Sequence, residues 1–223
     1  MLQLLVCADV HTYTDNLRLA VEKTGGVDAI LIAGDLEAEA EEVFSAAGNI
    51  PCYPVSGNND YYLNSDYPEE LIIDLSAPFS SVSPQISEVR ELQYTAVPET
   101  YSTLPAGLRN LPFGLSLKLS SQKRPSGVVH RIFMTHGKEY NVPDLRLLKQ
   151  RAALWDADII IFGHTHKFLY LEEKDGKNRI LNPGCLIGIP HDTIRSYGGY
   201  ETCSFALLRI GFQNEVSVRH LYL

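Results

Sequence analysis

Five short runs of potential metal ligands each follow an apolar stretch that reads as a buried strand. Residues 2–8 lead into Asp9-Val10-His11, and residues 29–33 into Gly34-Asp35. Residues 53–56 lead into Gly57-Asn58-Asn59-Asp60, residues 132–135 into His136-Gly137, and residues 159–162 into Gly163-His164-Thr165-His166. Residues at the ends of several strands converge on one rim of an open α/β sheet, where such sheets bind ligands. Carboxylate, amide and imidazole donors with no cysteine thiolate among them suit hard or borderline divalent cations.

The pattern between these clusters sets the fold class. Residues 14–24 read as a helix, with Leu17, Ala20 and Val21 on one face and Gly25-Gly26 as its stop. Residues 37–47 read as a second helix closed by Gly48, and Glu37, Glu39, Glu41 and Glu42 as its solvated face. This βαβαβ order predicts parallel strands with right-handed crossovers. Residues 71–75 predict another short strand and residues 143–155 a helix, with Leu145, Leu148, Ala152 and Trp155 on one face. Residues 168–172 and 178–181 flank Lys174-Asp175-Gly176-Lys177, a hairpin with an Asp-Gly turn. Residues 204–210 and 215–221 predict a second antiparallel pair. Helices and mixed strands in this order imply an α/β chain of two packed sheets covered by helices.

A chain of 223 residues with 45% hydrophobic side chains fits one α/β domain with a sizeable core. The region 76–130 breaks the rhythm. Residues 89–97 and 114–119 predict short strands inside it, and a stretch of this length reads either as a lid carrying Phe79, Tyr94, Tyr101 and Phe113 or as a surface insertion. The net charge of -8 and the absence of a basic run give no strong nucleic-acid signal. The four cysteines, Cys7, Cys52, Cys185 and Cys203, form no CxxC pair, so a zinc knuckle or redox motif is not expected. No apolar run approaches the ~18 residues of a membrane span, and no leader pattern precedes the first strand, so a cytoplasmic protein is expected. Homo-oligomerisation is left open.

The chemistry follows from the donors. Asp9 and His11, one residue apart in a turn, can address one ion. Asp35 has two oxygens and can bridge two, and Gly34 beside it lets metal or substrate approach the backbone. Asn58 offers a neutral carbonyl oxygen, and His136, His164 and His166 offer imidazoles. Seven ligands, one of them bridging, give four contacts to each of two ions and leave room for a shared hydroxide nucleophile. The expected cofactors are two divalent metal ions, whether Mn, Fe, Ni or Zn. His130 and His220 stand apart and read as structural or surface residues.

The ordered set Asp-x-His, Gly-Asp, Gly-Asn-x-Asp, Thr-His-Gly and Gly-His-Thr-His resembles the calcineurin-like metallophosphoesterase superfamily. The length and the Asn182-Pro183-Gly184 turn resemble its small single-domain bacterial and archaeal phosphodiesterase branch. The resemblance covers residues 1–75 and 131–223. It implies a four-layer α/β/β/α sandwich of two mixed β-sheets flanked by helices. It also implies one ion on Asp9, His11, Asp35 and His166 and a second on Asp35, Asn58, His136 and His164, with Asp35, Asn58 and His136 as candidate catalytic residues. The implied activity is phosphodiester hydrolysis of a small-molecule or nucleotide substrate by a metal-bridging hydroxide. The rival is a metal-binding protein-interaction scaffold of the same fold, the role of the eukaryotic retromer subunit.

Four positions depart from the family pattern. Asn59 stands where many members carry a leaving-group histidine, and an amide is no general acid. Lys138 stands where relatives often have a second histidine, and reads either as a phosphate contact or as a surface lysine. Cys185 and His191 stand where relatives often carry serine and arginine, and His191 is a candidate substitute for that arginine.

Overall fold

The computed structural model describes residues 1–60, 67–76, 115–117, 124, 126–174, 176–188 and 203–223. His191, Asp175, Phe79, Tyr94, Tyr101, Phe113 and the expected strand 89–97 lie outside them.

Two mixed sheets form the centre. The first has five strands in the order β11-β10-β1-β2-β3, and the second has six in the order β5-β4-β6-β7-β9-β8. β1 (Leu2–Cys7), β2 (Ala29–Ala33) and β3 (Cys52–Val55) run parallel, as the alternation with helices predicts. β10 (Ser204–Ile210) joins β1 antiparallel and carries the edge strand β11 (Val216–Tyr222). In the second sheet β4 (Glu70–Ser76) pairs antiparallel with β5 (Leu115–Leu117) and with β6 (Val128–Thr135). β7 (Ile159–Ile161) and β9 (Arg179–Asn182) continue parallel to β6, and β8 (Leu169–Glu172) closes the edge as a hairpin with β9.

The period-two alternation sorts side chains into layers. Leu4, Val6, Leu31 and Ala33 face Ile73, Ile132, Met134 and Ile161 in a core between the sheets. Leu5, Cys7, Ile30 and Ile32 point the other way, onto Leu17 and Ala20 of α1 (Thr14–Thr24) and Val43 and Ala47 of α2 (Ala40–Ala47). Phe133, Ile160 and Ile180 pack against Leu148 and Ala152 of α3 (Leu145–Leu154). The result is a four-layer α/β/β/α sandwich. Strands covered on both faces read as continuous apolar runs, which is why β1, β2 and β7 were visible in the sequence. Each buried Leu or Ile contributes roughly 1.5–3 kcal/mol over an exposed one. No helix among the described residues is long and apolar enough to cross a membrane.

Two helices start later than their apolar pattern suggests. α3 begins at Leu145, where Asp144 accepts a hydrogen bond from the Arg146 amide at 3.1 Å and caps the first turn. α2 begins at Ala40, three residues after Glu37, because Glu37 has positive φ and is tied to His11 and Asp60 at the rim of the site. Glu37 is therefore not part of a solvated helix face. One buried ion pair sits on the outer face of the second sheet. Arg131 and Asp74 are cross-strand neighbours on β6 and β4, joined at 2.5 and 3.1 Å, and Arg131 also donates to the Trp155 carbonyl at 2.7 Å.

Candidate metal centre

Parallel strands send their following loops off the same end. The loops after β1, β2 and β3 in one sheet meet those after β6 and β7 in the other. Beyond the strand ends, the first two loops zip together. Asp9 N donates to Gly34 O at 2.9 Å, His11 N to Asp35 O at 3.0 Å, and Thr12 N to Leu36 O at 2.9 Å. The Gly163 amide, after β7, donates to the His136 carbonyl at 3.0 Å.

These bonds hold unusual backbone. Asp9, His11, Asp35, His164 and His166 all have positive φ, from 45° to 66°. A non-glycine residue there costs on the order of 1–3 kcal/mol and persists only where its surroundings fix it. Five ligand-type residues share this conformation because the chain must turn sharply after each strand to aim the side chain at the rim.

Two glycines admit the close approach. A Cβ on Gly34 would lie 2.7 Å from the His136 imidazole, so its missing side chain makes room for that ring. A Cβ on Gly57 would collide with the Asp35 carboxylate and amide.

The side chains converge. The Asp9, His11 and His166 ligand atoms lie within 4.8 Å of one another, and so do those of Asp9, Asp35 and His136. Asp35, a member of the second group, places Oδ2 3.3 Å from His136 Nε2 and 3.8 Å from His11 Nε2 of the first. His166 Nε2 is 3.4 Å from Asp9 Oδ1 and 3.4 Å from His11 Nε2. Asn58 Oδ1 lies 3.1 Å from His136 Nε2. The His164 ring packs edge-on against that of His136, with centroids 5.1 Å apart, outside both groups. Asp9 belongs to both groups, whereas the expectation placed it on one ion.

The imidazoles are oriented to coordinate. His136 Nδ1 donates to the Ala33 carbonyl at 2.9 Å, and His11 Nδ1 lies 2.6 Å from Glu37 Oε1. Each bond fixes the proton on Nδ1 and turns the Nε2 lone pair to the rim, as metal-ligating histidines require. Among the described residues, the buried carboxylates Asp9 and Asp35 form their ion pairs with imidazoles alone. Oxygen and imidazole donors with shielded carboxylates and tied-back histidines fit divalent ions.

Electrostatics agree with this. Burial pushes the Asp35 pKa up, but the hydrogen bond and charge of His136, the Asn59 amide and the His11 charge outweigh it and leave it below the ordinary value. Burial likewise pushes His136 down, yet its bond to Asp35 and the charges of Asp9 and Asp35 raise it overall. His164 is lowered, first by burial and next by the charge of His136; Asp9 and Asp35 pull it up, and Lys138 pushes it down again.

Residues outside the expected ligand set brace the rim. Asp60, 1% exposed, accepts from the amides of Leu36 and Glu37 at 2.8 Å each and of Gly57 at 2.7 Å, tying the loop of Asp35 to that of Asn58. Asn182 donates to Gly163 O at 2.7 Å and Thr165 Oγ1 at 3.0 Å, and so fixes the loop of His164 and His166. Glu37, at positive φ, reaches His11. Asp60 and Asn182 lie in motifs visible in the sequence. Glu37 does not, because its acidic neighbours made it look like helix surface.

The calcineurin-like phosphoesterase superfamily domain model matches residues 2–204. The chain belongs to this superfamily. No curated protein matches it. Among solved structures, a predicted phosphoesterase from Streptococcus pneumoniae aligns at TM-score 0.55 and 18% identity, over 100% of this chain and 98% of its own. Vps29 from Entamoeba histolytica, complexed with zinc, aligns at TM-score 0.55 and 18% identity over 99% of both chains. An archaeal phosphodiesterase aligns at TM-score 0.53 and 17% identity, covering both chains fully. At these identities the likeness is one of fold.

Within this calcineurin-like fold the departures acquire positions. Asn59 turns inward and donates to Asp35 from both its amide and its Nδ2, at 2.8 Å each. Lys138 is exposed at the start of a 3-10 turn, Lys138–Tyr140, directly beyond His136 and Gly137. Cys185 is fully buried. His130, at the far end of β6 from His136, joins Asp158 at 2.6 Å and Asn214 O at 2.7 Å, and His220 stacks on Phe168.

Proposed function

We propose that the chain is a dinuclear metal-dependent phosphodiesterase acting on a small-molecule or nucleotide phosphoester. The observation that carries this reading is that Asp35 Oδ2, in one of two donor groups that share Asp9, also lies 3.8 Å from His11 Nε2 of the other. Asp9, His11, Asp35 and His166 would hold one ion, and Asp35, Asn58, His136 and His164 the other, with Asp9 close enough to serve both. Bound divalent ions supply an acidified water as nucleophile and neutralise the phosphoryl oxygens. Asp35 contributes the shared carboxylate, and Asn59 holds both its oxygens in place. Ala33 and Glu37 keep the protons of His136 and His11 on Nδ1, away from the reacting phosphoryl group. Asn58 adds a neutral oxygen, so the cluster collects cations without excess negative charge against a phosphate.

The test pairs metal analysis with a substrate panel. After reconstitution with Mn²⁺, Fe²⁺, Ni²⁺ or Zn²⁺, two ions per chain are expected, together with faster cleavage of aryl phosphodiesters than of monoesters. A plateau at one ion rejects the dinuclear centre. Two ions with no ester cleaved favours the second reading, a metal-binding interaction scaffold, to which the likeness to zinc-bound Vps29 lends support.

A further inference from the structure

The loop after β6 carries a feature the metal ligands do not use. It turns at Gly137, φ 103°, and displays Lys138 as the first residue of the 3-10 turn. Lys138 is exposed and forms no hydrogen bond or ion pair with any described residue. The turn itself is firmly anchored. The Tyr140 hydroxyl donates to Glu70, and Arg151 of α3 grips the same Glu70 carboxylate at 2.9–3.2 Å. Glu70 sits opposite Thr135 in the β4–β6 register, so this clamp lies at the rim end of the sheet. Three elements thus fix the backbone beneath one free cation, two residues beyond His136. The turn thus presents it directly after the ligand-type His136, at the rim end of the sheet.

An ammonium beside a centre built for two dications is repelled by them unless an anion lies between. Resting on the phosphoesterase reading above, we propose that Lys138 is a specificity-determining residue that contacts a non-bridging oxygen of the substrate phosphate, on the side facing away from the ions. A lysine is suited to this as a point charge on a flexible stem. The sequence departure at this position thereby exchanges a neutral ring for a permanent anion contact.

The experiment uses Mn²⁺-loaded full-length protein and inorganic phosphate as the probe. Phosphate affinity is measured by calorimetry, and kcat and KM on an aryl phosphodiester, for the native chain, Lys138→Ala, Lys138→Arg and Lys167→Ala, with bound metal checked in each. Lys138→Ala is expected to weaken phosphate about 10-fold and raise KM similarly, with two ions still bound. Lys138→Arg should restore most of the loss. Lys167→Ala removes an equal charge next to His166 and should change little. Equal losses in the two alanine variants would show a diffuse field and overturn the contact. Unchanged phosphate affinity in Lys138→Ala, or no phosphate binding by the native chain, would also overturn it. Phosphate binding that depends on Lys138 without any ester cleavage would uphold the contact and reject the phosphodiesterase reading.

Discussion

Glu37 Oε1 lies 2.6 Å from His11 Nδ1, and this pair couples the loop after β2 to a metal-type histidine after β1. The carboxylate fixes which nitrogen of His11 faces the rim and makes that nitrogen a better donor. Outer-shell partners of this kind typically contribute ~10–100-fold in metal affinity. Glu37→Gln keeps the shape and removes the charge. It should weaken one ion of the pair by about that factor and leave the second nearly unchanged, as read by Mn²⁺ titration calorimetry. Equal weakening of both ions would mean that Glu37 acts through the general field of the site and not through His11.

Asp35 and Asn58 should behave differently. Asp35 Oδ2 lies near both His11 and His136, whereas Asn58 Oδ1 lies 3.1 Å from His136 Nε2. Asp35→Asn is therefore expected to impair both ions and Asn58→Ala mainly one, measured as stoichiometry and affinity in the same titration. Equal and mild losses for the two variants would rule out a shared carboxylate.

Much of this site was legible because each ligand motif follows a buried strand whose continuous apolar run is a strong signal. Once five such strands are parallel or adjacent, their ends must meet. The bracing was less legible. Glu37 is read as helix surface by its neighbours, and the tertiary bonds to His11 and Asp60 hold it in the rim, so that α2 starts at Ala40. Gly34 was marked correctly as a close approach, but the approaching group is a histidine 102 positions later, which no local pattern encodes. Asn59 was read as a missing acid, while its amide and side chain in fact grip Asp35.

The raised pKa of His136 links metal loading to pH. A metal needs its imidazole neutral, so protonation competes with binding once the pH falls below the raised value. In the metal-free protein the sign is reversed. The protonated His136 beside Asp35 stabilises the fold fully below the ordinary value near 6.5, and this contribution is lost as the pH rises through the raised value. The lowered Asp35 contributes above its ordinary value of 3.8 and stops contributing only as the pH falls through its folded value. Hence the Tm increase caused by a fixed excess of Mn²⁺ should grow between about pH 5 and 8. A pH-independent increment would argue that His136 does not bind the ion.

The Arg131–Asp74 pair tests the scaffold apart from the site. Both side chains are at most 1% exposed and joined by two hydrogen bonds. Asp74→Ala leaves the guanidinium buried without this carboxylate, which should cost about 3–5 kcal/mol. Urea denaturation should show a lower midpoint at unchanged slope. Asp74→Leu combined with Arg131→Met should recover much of the loss, since an apolar pair of similar volume avoids the desolvation of two charges. A double variant as unstable as Asp74→Ala alone would assign the loss to packing.

The position of Asn59 sets the final expectation. An amide cannot protonate a leaving group, so the rate should depend steeply on leaving-group pKa, with activated aryl diesters cut far faster than alkyl ones. General acid catalysis typically contributes ~10²–10⁴-fold, and that is the scale of the deficit expected for poor leaving groups. Inserting a histidine would supply an acid only if the side chain at this position faced the substrate. It faces Asp35 instead, 2.8 Å from Oδ2. Asn59→His should therefore loosen Asp35, lower metal retention and keep the steep dependence, and Asn59→Ala should match it in metal loss. The measurement is a series of aryl phosphodiesters of graded phenol pKa, run on metal-saturated native and variant proteins. A flat slope in the native protein would reveal another proton donor, and a slope flattened by Asn59→His would show that residue 59 can turn from Asp35 to the leaving group.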